Sequence, residues 1–198
     1  MINNSKNFKK IKSDIANIFL NAEFELEGDH SLDTLRWVKK IDKNASESLQ
    51  IAALAHDIDR AIPPKVTRNA GETYDSYKTR HSQRSSELIV DLMKKYNYPN
   101  KLIEGTKLLI KKHEEGGNSE ADILRDADSI SFFSCNLEWY YNYKNRDIKE
   151  VKREIIYKFQ RATPRAQGLI KSIKIKNTIL KDLCEDIFTS TAKTLKNT

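Results

Sequence analysis

Apolar side chains recur every three to four residues along most of this chain, which is the spacing of amphipathic α-helices. The first run predicts a helix over about 8–25. The second predicts a helix over 30–42, with Asp29 in a good N-cap position. The segment 49–57, preceded by Ser46 as a weaker cap, is small and apolar on nearly all sides. We therefore expect it to be the buried central helix.

The helical pattern stops over 62–74, where a Pro-Pro pair and an Asn-Ala-Gly triplet favour turns. It resumes with a helix that starts at Asp75 or Ser76 and runs to Tyr96. Ser119 and Thr163 are the N-caps expected for two later helices. The remaining predicted helices cover 99–113, 119–143, 147–161, 164–175 and 178–195. No segment has the alternation of a strand, so the sequence predicts an all-α protein.

The composition fits one helical domain over 1–198. Six Gly and four Pro leave little room for long loops, and a hydrophobic fraction of 38 % is enough for a core. Cys135 and Cys184 form no CxxC pair and are expected to be reduced thiols. The first residues lack the apolar stretch of a signal peptide, and no run approaches the ~20 apolar residues of a membrane helix. We expect a cytoplasmic protein without a membrane partner.

The net charge of +7 belongs to the C-terminal third of the chain. Residues 144–181 hold 12 Lys and Arg against 3 Asp and Glu, whereas the rest holds 23 basic and 25 acidic residues. A solvated helical surface, a docking face for nucleic acid and a surface that attracts an anionic substrate are all consistent with this surplus.

Candidate chemistry lies in the histidines. The four histidines of the chain and two of its aspartates stand in the order His30, His56, Asp57, His81, His113, Asp128. Imidazole nitrogen together with carboxylate oxygen suits a first-row transition metal or Mg²⁺. His56 and Asp57 point about 100° apart on a helix, so both can reach one ion that lies between them.

Three segments resemble the HD-domain superfamily of metal-dependent phosphohydrolases. They are DHSLDTLR (29–36), LAHDIDR (54–60), and IKKH (110–113) with EADILRDAD (120–128). The resemblance implies a helical HD core over about 22–135, with 144–198 as a basic helical extension. It also implies a divalent ion (Mn, Fe, Co, Ni, Mg or Zn), and its implied ligands are His30, His56, Asp57 and Asp128. We expect one tightly held ion, with two ions as the alternative.

Other roles are implied by the same resemblance. Asp126 and Asp128 lie about 200° apart on a helix, so only one can face the ion, and HD proteins usually use the second. Asp126 is then expected to support a ligand or to be solvated. His81 and His113 are expected either to bind a second ion or to point into the cleft beside the substrate. With Asp57, which can orient the attacking water, they form the predicted catalytic set.

A phosphorylated substrate needs cations near the metal, and several basic residues flank the motif. The predicted phosphate-binding residues are Arg60, Lys78, Arg80, Arg84 and Lys112. Arg60 stands where certain nucleotidase members carry an acid, so the identity of the substrate does not transfer. We expect hydrolysis of a small phosphorylated compound, with a nucleotide as the first candidate.

Three other functions remain open from the sequence. The chain could be a non-catalytic HD module that binds a metal or ligand for regulation, a two-iron oxygenase on the same scaffold, or an RNA-associated protein that uses 144–181. The aromatic residues between 132 and 143 could form core, cleft wall or a homodimer contact.

Overall fold

The computed structural model describes residues 2–22, 26–143 and 146–194, and these residues are helical with no strand among them. The all-α prediction is confirmed. The helices are α1 (Ile2–Leu20), α2 (Leu26–Ile41), α3 (Glu47–Ala55), α4 (Tyr74–Lys95), α5 (Asn100–Lys112), α6 (Ser119–Ser131), α7 (Leu137–Asn142), α8 (Ile148–Gln160), α9 (Pro164–Lys171) and α10 (Thr178–Thr194).

Helix α3 lies at the centre of the fold, as its sequence predicts. It packs against α1, α2, α5 and α6, and residues 51–55 are all buried. The Ser46 hydroxyl accepts a hydrogen bond from the backbone N–H of Leu49 and so caps the helix. His56 is the C-cap, and Asp57 leads into a 3₁₀ turn over Ile58–Arg60. The His-Asp pair therefore lies at a buried helix end, where the two side chains can diverge.

Several helices begin earlier than predicted. Helix α2 starts at Leu26, so Asp29 lies inside its first turn rather than at its cap, where its carboxylate still favours the positive end of the helix. Thr73 caps α4, and Asn118 caps α6, since both offer an oxygen to the backbone N–H three residues later. Residues 23–25, which close the first predicted helix, lie outside the described residues.

The single helix predicted over 119–143 is wrong. Helix α6 ends at Ser131, a π-helical turn occupies Phe132–Asn136, and α7 begins at Leu137. A π turn inserts one extra residue and so rotates α7 relative to α6. Phe132 and Phe133 are buried in the core. The aromatic segment therefore contributes to the core, and Phe132, Trp139 and Tyr140 also line a cleft.

The C-terminal third packs into the same core as the rest of the chain. Val151, Ile155 and Phe159 of α8 are buried in the same core as α3, and α8 packs against α6, α7, α9 and α10. Helix α9 ends at Lys171, four residues earlier than predicted. Among the described residues, no helix combines the length and apolar character of a membrane crossing.

Candidate metal centre

Three side chains from three helices meet at the buried end of α3. The Nε2 atoms of His30 and His56 lie 3.2 Å apart, and Oδ1 of Asp128 lies 3.2 Å from the first and 3.9 Å from the second. All three residues are at most 3 % exposed. Helix α2 supplies His30, the end of α3 supplies His56 and α6 supplies Asp128. These ligand atoms are close enough to surround one metal ion.

Hydrogen bonds to backbone carbonyl oxygens fix the orientation of two histidine rings. The Nδ1 atoms of His56 and His113 lie 3.0 Å and 2.7 Å from the carbonyl oxygens of Ala53 and Ile110, each three residues earlier. A carbonyl oxygen only accepts, so Nδ1 carries the proton and the Nε2 lone pair faces inward. The Nε2 atom of His30 faces that of His56 at 3.2 Å, and a cation would lie between these nitrogens and Asp128. This arrangement fits a metal ion.

The charge states suit the same ion. Burial lowers the pKa of His56 to about 3 and also lowers the pKa of His113, so both rings are neutral at pH 7. Burial would raise the pKa of Asp128, but Lys158 and Arg161 hold it well below its ordinary value. The centre thus offers a neutral imidazole from His56 and an ionised carboxylate from Asp128, which are the forms that bind metals.

Asp57 belongs to a second group beside the first. Its Oδ1 lies 2.7 Å from Nε2 of His81 and 3.9 Å from Nε2 of His113, whereas its Oδ2 lies 3.8 Å from Nε2 of His56. His81 lies between two carboxylates, because its Nδ1 is 2.7 Å from Oδ1 of Asp59. Burial opposes a charge on His81, but Asp57 and Asp59 raise its pKa to about 9. Together with His113, Asp57 and His81 form a second group whose ligand atoms lie close enough to surround a metal ion.

Arg60 completes the surroundings of Asp57. Its Nη2 lies 3.1 Å from Oδ2 of Asp57, and its Nη1 lies 3.4 Å from Oε1 of Glu27. Burial would raise the pKa of Asp57, but Arg60, His56 and His81 hold it well below its ordinary value. Asp57 is thus an ionised carboxylate held from both sides, next to the three-residue group.

Asp128, and not Asp126, faces the centre. Asp126 instead accepts two hydrogen bonds from Thr163, from the backbone N–H at 2.9 Å and from the hydroxyl at 2.5 Å. Thr163 is the N-cap of α9, so Asp126 fastens α6 to the start of α9. The expectation that it supports a ligand or is solvated is corrected by this contact.

Sequence reasoning missed three charged residues at the centre. Lys158 lies 3.0 Å and 3.2 Å from the two oxygens of Asp128, and Arg161 bonds Asp128 and Glu114 together. A signal was present, because Lys158 and Arg161 come three and six residues after Ile155 and lie beside the buried stripe of α8. Glu114 adjoins His113, and with His113 and Asp128 it forms a further possible ligand group.

A cleft of about 450 Å³ reaches the centre, and His30 and Asp57 lie at its floor. Aromatic rings form much of its wall, and they are those of Tyr74, Tyr77, Phe132, Trp139 and Tyr140. Its cationic lining residues are Arg60, Arg68, Arg146 and Lys158. His81 and His113 do not line it, because both lie behind Asp57 at 1 % exposure. Of the two roles expected for these histidines, a place beside the substrate has no support from position, whereas binding of a second ion agrees with the ligand group that they form with Asp57.

Of the five cations predicted to bind phosphate, only Arg60 lines the cleft. Lys78 is buried between the rings of Tyr74 and Tyr157 and lines a separate cavity. Arg80 is exposed and bonded to Glu72.

Arg84 and Lys112 also lie outside the cleft lining. Nη2 of Arg84 lies 3.5 Å from the carbonyl oxygen of Ile62, and the Lys112 ammonium lies near Gly117. These two residues, like Lys78 and Arg80, lie outside the cleft lining, so their positions do not support the predicted role in phosphate binding. The partners that hold such side chains are set by the tertiary fold.

Residues 11–182 match a protein family described as a domain of unknown function (DUF4202), and the match covers most of the chain. No curated protein matches the chain, and no solved structure does.

Proposed function

This chain belongs to the DUF4202 family, and we propose that it is a metal-dependent phosphohydrolase of the HD type that cleaves a phosphate ester or anhydride of a small compound. The observation that carries the proposal is the inward-facing pair of His30 and His56 nitrogens, 3.2 Å apart, beside Asp128. The order of the motif and the helical surroundings of each ligand agree with the HD resemblance. The His-Asp pair lies at a buried helix end, from which both side chains reach the same region.

His30, His56 and Asp128 would hold the ion, with Asp57 as the further carboxylate ligand that the HD resemblance implies. A bound divalent ion supplies a lowered pKa for an attacking water molecule and polarises a phosphoryl oxygen. Asp57 would orient the attacking water molecule at the cleft floor, since Arg60 and His81 fix its two oxygens. His81 acts as a positioning residue, because it reaches the cleft only through Asp57. Arg60 adds positive charge where a phosphoryl group would lie.

A nucleotide is the substrate that the cleft suits best. Five aromatic side chains in its wall offer flat apolar surface, and Arg146 stacks over Tyr140 at 4.1 Å from the ring centre. A planar base stacks on such rings, and cations at the floor attract its phosphate. A sugar phosphate would leave the aromatic wall without a partner.

The test is phosphate release by the purified full-length chain, with its metal content measured by elemental analysis. The panel contains nucleoside monophosphates, nucleoside triphosphates and sugar phosphates, each with Mn²⁺, Co²⁺, Ni²⁺ or Mg²⁺. We expect release from a nucleotide, and loss of both metal and turnover in His56→Ala and Asp57→Ala. Lys152→Ala, a change at an exposed position of α8, is the matched control.

The outcomes separate the competing functions. Metal retention without release of phosphate from any member of the panel would favour a regulatory HD module. An iron pair in the spectrum with uptake of O₂ would favour an oxygenase. Full turnover in His56→Ala or Asp57→Ala would remove the proposed assignment of the site.

A further inference from the structure

Lys158 lies at the boundary between the centre and the cleft. Its ammonium contacts both carboxylate oxygens of Asp128, at 3.0 Å and 3.2 Å, and its side chain is 12 % exposed. It also lines the cleft, together with the floor residues His30 and Asp57. One cation thus touches a candidate ligand of the metal ion and faces the space for the substrate.

A metal ion and the Lys158 ammonium would compete for Asp128. Oδ1 of Asp128, which Lys158 contacts, is also the oxygen that lies 3.2 Å from Nε2 of His30. A divalent ion ligated there would lie beside a positively charged nitrogen with little water between them. Two such charges repel strongly in a buried site. Because Asp128 also bonds Arg161, an added ion would weaken the hold of the carboxylate on the less firmly bound of these two side chains.

Arg161 is held too firmly to be the cation that leaves. Its guanidinium bonds Asp128, Glu114 and Ser129 at once, the last with Nε at 2.8 Å from the hydroxyl, and its side chain is 7 % exposed. Among the described residues, both hydrogen bonds of the Lys158 ammonium go to Asp128. Arg161 therefore keeps Asp128 in place while Lys158, on a flexible stem, can exchange its partner.

We propose that Lys158 has two partners in turn. It pairs with Asp128 while no metal ion is bound, and it pairs with the phosphoryl group of the substrate once the ion takes its place. The second half rests on the proposed function. The cleft offers the ammonium a direction in which to move, and a phosphoryl oxygen is the anion that would meet it there. Binding of the ion and binding of phosphate would then be coupled through one side chain.

The first measurement is the affinity of the metal-stripped full chain for Mn²⁺, monitored as the loss of the electron paramagnetic resonance signal of the free ion. We expect Lys158→Met to bind Mn²⁺ about tenfold more tightly than the natural chain, because the competitor is gone. Lys158→Arg, which keeps the charge, should bind as the natural chain does. Lys152→Met removes an exposed charge from the same helix and should change nothing.

The second measurement is calorimetric binding of inorganic phosphate to the Mn²⁺-saturated protein. We expect Lys158→Met to bind phosphate about tenfold more weakly, the opposite direction to its effect on Mn²⁺. Lys152→Met again serves as the control. If Lys158→Met does not fold, as judged by circular dichroism, Lys158→Gln replaces it in both measurements.

Each result has a definite consequence. Unchanged or weaker binding of Mn²⁺ in the folded Lys158→Met variant would contradict the competition between Lys158 and the metal ion for Asp128. Tighter binding of Mn²⁺ together with unchanged binding of phosphate would contradict the pairing of Lys158 with a phosphoryl group. Neither measurement needs turnover, so a failure of the phosphate-release panel would reject the proposed function and leave the competition between Lys158 and the metal ion intact.

Discussion

The Nε2 atom of His81 lies 2.7 Å from Oδ1 of Asp57, which fixes the carboxylate at the floor of the cleft. His81 itself is buried and is held on its other side by Asp59, whose Oδ1 accepts a hydrogen bond from Ser85 at 2.8 Å. The chain of contacts Ser85, Asp59, His81, Asp57 leads from α4 to the cleft. His81, which does not line the cleft, thereby fixes the carboxylate of Asp57, which does.

Replacing His81 tests this control. In His81→Gln we expect turnover to fall by about ten- to a hundredfold, because Asp57 loses a charged partner that orients it. Binding of Mn²⁺ should change much less than turnover, since His30, His56 and Asp128 remain. Steady-state kinetics and the Mn²⁺ titration check the two effects. Equal losses in both would place His81 among the ligands instead.

Asp126 and Asp128 should respond differently to substitution. In Asp126→Ala the two bonds from Thr163 are lost, so we expect a fall in the free energy of unfolding of about 1–3 kcal/mol. Its metal content should stay that of the natural chain. In Asp128→Asn we expect the metal to be lost. Denaturant unfolding measures the change in stability, and elemental analysis measures the metal content. Metal loss in Asp126→Ala would show that Asp126 faces the ion.

Ser131 should tune the affinity for the metal. Its hydroxyl oxygen lies 2.9 Å from Nδ1 of His30 and donates to the His30 carbonyl oxygen at 3.3 Å, so it fixes the ring. In Ser131→Ala we expect Mn²⁺ to bind about ten- to a hundredfold more weakly. Ser134→Ala is the control, because that hydroxyl bonds Asp33 one turn further along. Similar affinities in the two variants would contradict a role for Ser131.

Lys78 should make stability depend on pH. It is 6 % exposed, and burial lowers its pKa from the ordinary 10.5 to about 8 although Glu114 opposes the shift. Between these pH values the unfolded chain holds more protons than the folded one, so the free energy of unfolding rises with pH.

The expected rise is on the order of 2 kcal/mol between pH 8 and 10.5, measured as the difference between the natural chain and Lys78→Met. Urea unfolding of both proteins at several pH values provides this difference in the free energy of unfolding. Taking the difference removes the contribution of other lysines and tyrosines. Parallel pH profiles for the two proteins would show that Lys78 has an ordinary pKa.

The helices and the candidate metal ligands can both be predicted from the sequence, because both depend on local spacing. The 3.6-residue period identifies α3 as buried, and the order of His and Asp selects the residues that meet at its end. The phosphate-binding prediction rested on proximity along the chain, and four of its five residues lie elsewhere. A long charged side chain points towards whichever partner the tertiary fold provides, as Arg80 does towards Glu72.

The residues that sequence reasoning missed come from far along the chain. Lys158 and Arg161 belong to a stretch whose charge surplus suggests a solvated surface, and nothing in their spacing from Asp128 indicates contact. The π turn at Phe132–Asn136 was missed for a related reason, since its extra residue leaves the apolar period nearly intact. Both features need knowledge of which helices touch.

The bridge that Arg161 forms between Glu114 and Asp128 bears on how the protein is made. During synthesis, the segments that carry these two acids leave the ribosome before the arginine does. Until α8 emerges, two carboxylates would have to be buried without their counter-ion, which is unfavourable. The centre is therefore expected to close late, when the final third of the polypeptide arrives.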